Sequence, residues 1–269
     1  MHFIFKQHLR FVIISAVLYS GVFMTGSIGN PIFPHDLSHI ILDMDGLMFD
    51  TEKLYMRSFV EAVEPQMKIG ITSEDYLLFM GQNDKGSSII LHDRFNLPYS
   101  AWDELAEISY NWVTEQVKNG KLEIKEGLTN LLDWAKANNI RYCLASGSPA
   151  FMIKQSLEST GITRYFSDEN IIDGDMANIG KPDPEIFLIA TKKMNCPDVT
   201  NSVVFEDSLN GILAAKQGGF PCILVPDLID PSSGNEDCFF AKCTTLKESI
   251  PILEIKKCLR HFSSPAPHS

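Results

Sequence analysis

Two aspartates set one residue apart open the segment Asp43-Met44-Asp45-Gly46-Leu47-Met48-Phe49-Asp50-Thr51-Glu52. They follow His39-Ile40-Ile41-Leu42, a short apolar run that reads as a buried strand. Residues i and i+2 of a strand point to the same side, so Asp43 and Asp45 are expected to face one site at its C-terminal end. Gly46 lets the backbone turn there without a Cβ in the way. A pair of acids so placed suits Mg²⁺, which takes oxygen ligands from a few carboxylates and from substrate phosphate. One carboxylate could attack phosphorus while the other moves the proton. A DxDG turn that merely ends a strand has the same letters, so the rest of the chain must decide.

Two more acids stand together at Glu206-Asp207, directly after the uncharged run Ser202-Val203-Val204-Phe205. Adjacent strand residues point opposite ways, so one of the two is expected to meet a metal directly. Ser146-Gly147 ends another apolar run, Arg141-Tyr142-Cys143-Leu144-Ala145, just before a helix start at Ser148-Pro149. Glycine allows close backbone approach, and a helix N-terminus favours an anion. Ser148 and Pro149 read as the cap and first turn of that helix.

The elements that must carry these residues alternate. From Glu126 onward, helical patterns near 127–138, 150–160, 185–194 and 209–216 separate strand-like runs at 141–145, 171–172, 202–205 and 221–225. Such alternation predicts a parallel sheet covered on both faces, with ligands bound beyond the C-terminal strand ends. Asp43, Ser146 and Asp207 all fall at such ends. Residues 227–243 read as an irregular loop, and the tail from Ser263 as disordered. Between the first strand and this alternation, residues 52–120 carry helical signals only, with pieces near 73–80, 85–95 and 100–118. The fold class is therefore α/β, a Rossmann-like parallel sheet core (36–50 and 123–262) with an inserted helical cap (51–122).

Composition is that of a soluble enzyme: 269 residues, 45% hydrophobic and 21% charged. A net charge of −11 argues against nucleic acid as the main partner. The six cysteines form no CxxC pair, and Cys143 and Cys222 sit inside apolar runs as small core residues. At the N-terminus, Lys6 and Arg10 precede an apolar run over 11–24, with small residues such as Ser27 and Gly29 after it. That order resembles a secretory signal, and the run is short of the roughly 20 residues of a membrane span. Residues 1–35 are set aside as an extension, a signal or an anchor. A cytoplasmic location is expected, with a secreted or anchored one as the alternative.

The order DMDGLMFDTE, then Ala145-Ser146-Gly147-Ser148, then GKPDPEIF, then VVFEDSLNGILAA resembles the four motifs of the haloacid dehalogenase-like hydrolases. The insertion directly after the first motif is similar to the branch holding β-phosphoglucomutases and many small-molecule phosphatases. This resemblance, over about residues 38–250, implies that Asp43 is the nucleophile that forms an aspartyl-phosphate and Asp45 the general acid–base. It implies that Ser146 and the backbone N–H of Gly147 bind a phosphoryl oxygen. Lys181 would neutralise charge on nucleophile and phosphoryl group. Mg²⁺ would be held by Asp43, the backbone carbonyl of Asp45 and Asp207, with Glu206 alongside directly or through water.

The expected activity is Mg²⁺-dependent hydrolysis of a small phosphate monoester, a sugar phosphate or nucleoside monophosphate, by a monomer that needs no membrane. A hexose-phosphate mutase of the same design needs a cap cation for a second phosphate. The loop Gly81-Gln82-Asn83-Asp84-Lys85-Gly86 offers Lys85, and no arginine follows until Arg94. That leans toward hydrolysis. Dehalogenation needs no Mg²⁺ and leaves Asp45 and Glu206-Asp207 unexplained. A non-catalytic protein of this fold predicts loss of Asp43, Asp45, Lys181 or Asp207, and all four are present. Thr51 and Glu52 are open between a hinge, a substrate contact and a helix cap, and Asp183 reads as a cap.

Overall fold

The structure is a computed structural model that describes Pro34 and residues 36–254. The apolar N-terminal run and the tail from Ser263 lie outside the described residues. Within them, no helix is long and apolar enough to cross a membrane.

Strand β1 (His39–Leu42) is the centre of the sheet. It pairs in parallel with β2 (Arg141–Ala145) on one side and β4 (Ser202–Glu206) on the other. Beyond β2 lies β3 (Ile171–Ile172); beyond β4 lie β5 (Cys222–Leu224) and β6 (Ala241–Lys242). The order is β3-β2-β1-β4-β5-β6, so the chain reverses its direction of growth beside β1, where a parallel sheet opens a crevice. Strand β6 falls in the stretch read from sequence as loop. Two residues are too few to show a strand's period, and they are fixed by pairing with Ile223 and Leu224.

The strands are buried on both faces, as parallel strands must be. One face gathers Ile40, Leu42, Leu144, Val203, Phe205 and Ile223 under α6 (Leu128–Ala137) and α7 (Ala150–Ser159). The other gathers Ile41, Cys143, Val204, Cys222 and Leu224 under α8 (Glu185–Lys193) and α9 (Leu209–Gln217). Successive residues of β1 thus feed opposite layers, the period of two that a pleated strand imposes.

The inserted helices are α1 (Thr51–Ser58), a π-helical turn Phe59–Val63 continuing into α2 (Glu64–Met67), α3 (Tyr76–Phe79), α4 (Asp84–Phe95) and α5 (Ala101–Lys118). They have a core of their own, with Phe59, Val63, Ile71, Phe79, Leu91 and Leu105 packed together. The far end of α5, through Val113 and Val117, packs instead with the sheet layer. The π turn was not foreseen, because its apolar spacing is compatible with an ordinary α-helix.

Gly127 caps α6 at φ 87°, and a Cβ there would overlap the backbone of Lys247. Gly120 has a similar φ of 69° with open space around it. Left-handed backbone costs a residue with a Cβ about 1–2 kcal/mol. Gly120→Ala should therefore lose only that amount, whereas Gly127→Ala adds the overlap and should lose about 2 kcal/mol or more. At roughly 2–4 °C per kcal/mol for a domain of this size, thermal melts of the two variants resolve the difference.

Candidate active site

Parallel pairing levels the strand ends: Leu42 sits opposite Leu144 and Phe205. The residues that leave these strands, Asp43, Ser146, Glu206 and Asp207, therefore arrive at one edge of the sheet. The first loop is tightly tied. Asp43 N–H donates to the Phe205 carbonyl at 3.1 Å, Gly46 N–H to the Phe49 carbonyl at 3.0 Å, and Met48 N–H to the Met44 carbonyl at 2.8 Å. The Thr51 hydroxyl oxygen also accepts from Gly46 N–H at 3.1 Å. Thr51 thus fixes the turn rather than capping a helix. Gly46 has φ 77°, and a Cβ there would strike the Asp207 carboxylate.

Asp43, Glu206 and Asp207 are buried, and each offers a carboxylate oxygen within 4.8 Å of the others. Lys181 enters among them from the loop before α8. Its Nζ donates to Asp43 and, at 2.5 Å, to Glu206 Oε1. Burial pushes the Asp43 carboxyl up to about 8, against the pull of Lys181 and helped by Glu206 and Asp45. Burial, with Glu206 and Asp43 as charged neighbours, also holds Asp207 well above the usual carboxylate range. Burial works against the charge on Lys181, but Asp43 and Glu206 outweigh it and its pKa is raised.

The paired acids have separate tasks. Glu206 Oε2 accepts from the backbone N–H of Asp207 and of Ser208, each at 3.1 Å, and from the Ser208 hydroxyl at 3.0 Å. It lies at the N-terminus of α9, where a Cβ on Gly211 would fall on its carboxylate. Ser208 also caps α9, accepting from Gly211 N–H at 3.1 Å.

Asp45 turns to another set of partners. Its Oδ2 accepts from the Ser148 hydroxyl at 2.7 Å and the Ser146 hydroxyl at 3.4 Å. Ser148 is thus a site residue and not the side-chain cap read from its place before Pro149; the cap position is Pro149 itself, with no side-chain bond. The Ser-Pro pair disguised it. Gly147 has open space where a Cβ would stand, and the crowded glycine is Gly174, whose Cβ would meet the Gly147 carbonyl. Asp183 accepts from Glu185 N–H at 2.9 Å beside the start of α8, whose cap position is Pro184.

Sequence reasoning passed over a further group. Lys125, in the segment that returns from the inserted helices, bridges Asp50 at 3.0 Å and Asp227 at 2.5 Å. Asp227 follows β5 at the same sheet edge, and its buried Oδ2 has no hydrogen-bond partner. A Cβ on Gly46 would lie 3.4 Å from that oxygen. Its signal was position alone, an acid after an apolar strand. Glu52 completes the edge. It accepts from the Tyr76 hydroxyl, and burial raises its carboxyl to about 7. Lys85, the cation proposed for the cap loop, is exposed on the first turn of α4 and lines no part of the cavity beside Asp45.

These residues fit a divalent cation. Three buried carboxylates stand together with one lysine that pairs with two of them, the Asp227 oxygen is unpaired nearby, and an all-oxygen donor set suits a hard ion. An acid raised to about 8 keeps its proton below that pH, and a cation requires the carboxylate. Asp207 is raised as well, so cation affinity should rise with pH through about 8, with protons released on binding. Calorimetry with Mg²⁺ in buffers of different ionisation heat counts those protons; pH-independent affinity without release would contradict this account.

With the geometry in hand, comparison with known proteins places the chain. The family model for haloacid dehalogenase-like hydrolases matches residues 37–219. A Drosophila melanogaster protein named "Probable pseudouridine-5'-phosphatase" is 32% identical over 197 residues, covering 71% of this chain and 82% of that protein. A Thermotoga maritima protein named "Phosphorylated carbohydrates phosphatase" is 29% identical over 181 residues, covering 67% and 81%. The solved β-phosphoglucomutase of Clostridium difficile shares the fold, with a TM-score of 0.63 at 20% identity over 84% of this chain and 99% of that one. The described sheet edge and the family match agree: this chain belongs to the haloacid dehalogenase-like hydrolases.

Proposed function

We propose that the protein is a Mg²⁺-dependent phosphatase that hydrolyses a small phosphate monoester through an aspartyl-phosphate on Asp43. The observation that carries the reading is the division of partners at the sheet edge. Asp43 is held by Lys181 among the other acids, while Asp45 is held by two serine hydroxyls and borders the open cavity. The relatives named above are phosphatases of a nucleotide and of carbohydrate phosphates, which supports a small phosphorylated metabolite as substrate.

Asp43, Asp207 and Glu206 would hold Mg²⁺, with the Asp45 backbone carbonyl as a further ligand. Bound there, the ion supplies positive charge that keeps Asp43 ionised and offsets the phosphoryl oxygens. Lys181 adds a second, fixed positive charge beside the same oxygens. An Asp43 carboxylate oxygen forms a bond to phosphorus as the bond to the leaving oxygen breaks, and Asp45 gives that oxygen its proton. Asp45 then takes a proton from water as the water oxygen attacks phosphorus, releasing phosphate and restoring Asp43. The Ser146 hydroxyl and Gly147 N–H face the transferred group, and Ser148 orients Asp45. The helical layer acts as a lid over Asp45 that excludes bulk water during transfer.

Phosphate release from a panel of monoesters, with Mg²⁺ and with chelator, tests the scheme. Asp43→Asn should lower kcat by about 10⁴-fold or more, since no other group attacks phosphorus. Asp45→Asn should cost about 10²–10⁴-fold with a sugar leaving group and much less with p-nitrophenyl phosphate, whose leaving group needs no proton. Lys181→Met should cost about 10²–10³-fold. Full turnover by Asp43→Asn would end the covalent scheme.

A further inference from the structure

The cavity between Asp45 and the helical layer has a volume of about 600 Å³, ample for a small organic ligand. Its wall is unusually aromatic: Tyr55, Phe59, Tyr76, Phe79, Trp102 and Tyr110 all line it. These rings hold one another in fixed planes. Phe79 and Trp102 lie parallel, 5.6 Å between centres and 9° between planes. Tyr55 and Tyr76 are parallel at 6.3 Å and 7°, and Phe59 sets its edge against Tyr76 and Phe79 at 5.2 and 5.5 Å. The Trp102 indole N–H is pinned to Asp84 at 3.0 Å.

Charge in this cavity has one sign. The lining contains Asp45, Glu52 and Glu107 and no lysine, arginine or histidine. Of the cations of the helical layer, Arg94 pairs with Asp75 at 2.6 Å, Arg57 with Glu61 at 2.9 Å and Lys53 with Asp50 at 2.7 Å, and Lys85 is exposed outside the lining. A second phosphate or a carboxylate on the substrate would meet acids and no counter-charge. Some inner polar groups bond one another: Tyr76 donates to Glu52, Ser109 shares a hydrogen bond with Ser58, and Ser148 donates to Asp45. A flat ring would find aromatic faces already oriented.

We infer that the leaving alcohol of the substrate carries a flat, uncharged ring and no second anion, the chemistry of a nucleoside 5′-monophosphate rather than of a sugar bisphosphate. Trp102, with Phe79 behind it, is the specificity-determining face. This assignment rests on the phosphatase reading and narrows it to a substrate class.

The test uses the full chain with Mg²⁺ and compares kcat/KM for uridine and adenosine 5′-monophosphates, for ribose 5-phosphate (the same ester without the ring) and for glucose 1,6-bisphosphate. Base–aromatic stacking predicts a preference for the nucleotides over ribose 5-phosphate of between about fivefold and a hundredfold. The bisphosphate should be the poorest substrate. Trp102→Leu, which keeps bulk but removes the aromatic face, should erase most of the nucleotide preference while leaving ribose 5-phosphate within about twofold. Trp102→Phe should restore it. Equal or better turnover of ribose 5-phosphate or the bisphosphate by the unmodified protein overturns the inference, as does a Trp102→Leu variant that slows all esters alike. A separate readout covers failure of hydrolysis itself. If no ester is cleaved, the phosphatase reading falls, and quenching of tryptophan fluorescence by uridine or adenosine then decides the cavity. Quenching that is lost in Trp102→Leu supports the ring site, and its absence from the unmodified protein rejects it.

Discussion

The contact of Lys181 with Asp43 and Glu206 is the constraint on which the rest of the sheet edge depends. Asp43 and Glu206 are 7% and 0% exposed. Carboxylates so deprived of water are costly unless paired, and removing the partner from such a set commonly costs 3–5 kcal/mol. Burial therefore raises Asp43, and Lys181 limits the rise. The arrangement remains short of positive charge, and its three carboxylates could hold a cation. Glu206 shows how the shortage is divided. One oxygen faces Lys181; the other is absorbed by two backbone N–H groups and a serine hydroxyl at the start of α9, where a helix end favours negative charge. Its fixed orientation is what aims the lysine.

A second lysine does the corresponding work where the inserted helices join the sheet. The two connections leave and return at Asp50 and Lys125, and Lys125 links Asp50 to Asp227 on the loop after β5. Asp50 N–H also donates to the Glu123 carbonyl at 3.0 Å, and Lys125 N–H to the Met48 carbonyl at 2.9 Å. The two connections are thus fastened to each other and to the edge that holds Asp207. Any motion of the helical layer has to pivot about this knot. The first turn of α1 stays registered to Gly46 through Thr51. Glu52, one residue on, is consequently carried to the wall of the cavity beside Asp45.

Much of this was legible in the chain because it rests on local rules. The runs 39–42, 141–145 and 202–205 are apolar throughout, as strands buried on both faces must be, and parallel pairing then forces Asp43, Ser146 and Asp207 to one edge. What was not legible depends on contacts distant in sequence. Ala241 and Lys242 are a strand only because Ile223 and Leu224 are beside them. Ser148 looked like a cap because Ser-Pro before a helix is one; its bond to Asp45 spans 103 positions. Lys85 was the natural cation of a polar loop, yet it is exposed and it is Ser87 of the same turn of α4 that lines the cavity. The π turn at Phe59–Val63 shifts the register of the helix that supplies Phe59 to the wall, and no spacing rule announces it.

The two sides of the cavity therefore answer to different physics. On the sheet side, the proposed function assigns Lys181, the acids and the serines to the phosphoryl group, which any phosphate ester brings. On the helical side, the proposed recognition is by shape and by aromatic faces, since no cation lines the wall to hold a second anion. A mutase has to grip its intermediate by the phosphate that is not reacting and turn it round in place. A wall of rings held edge-to-face and acids of one sign gives no such grip. Under the proposed function it would hold one leaving group in one orientation, release it after transfer, and leave the aspartyl-phosphate to water.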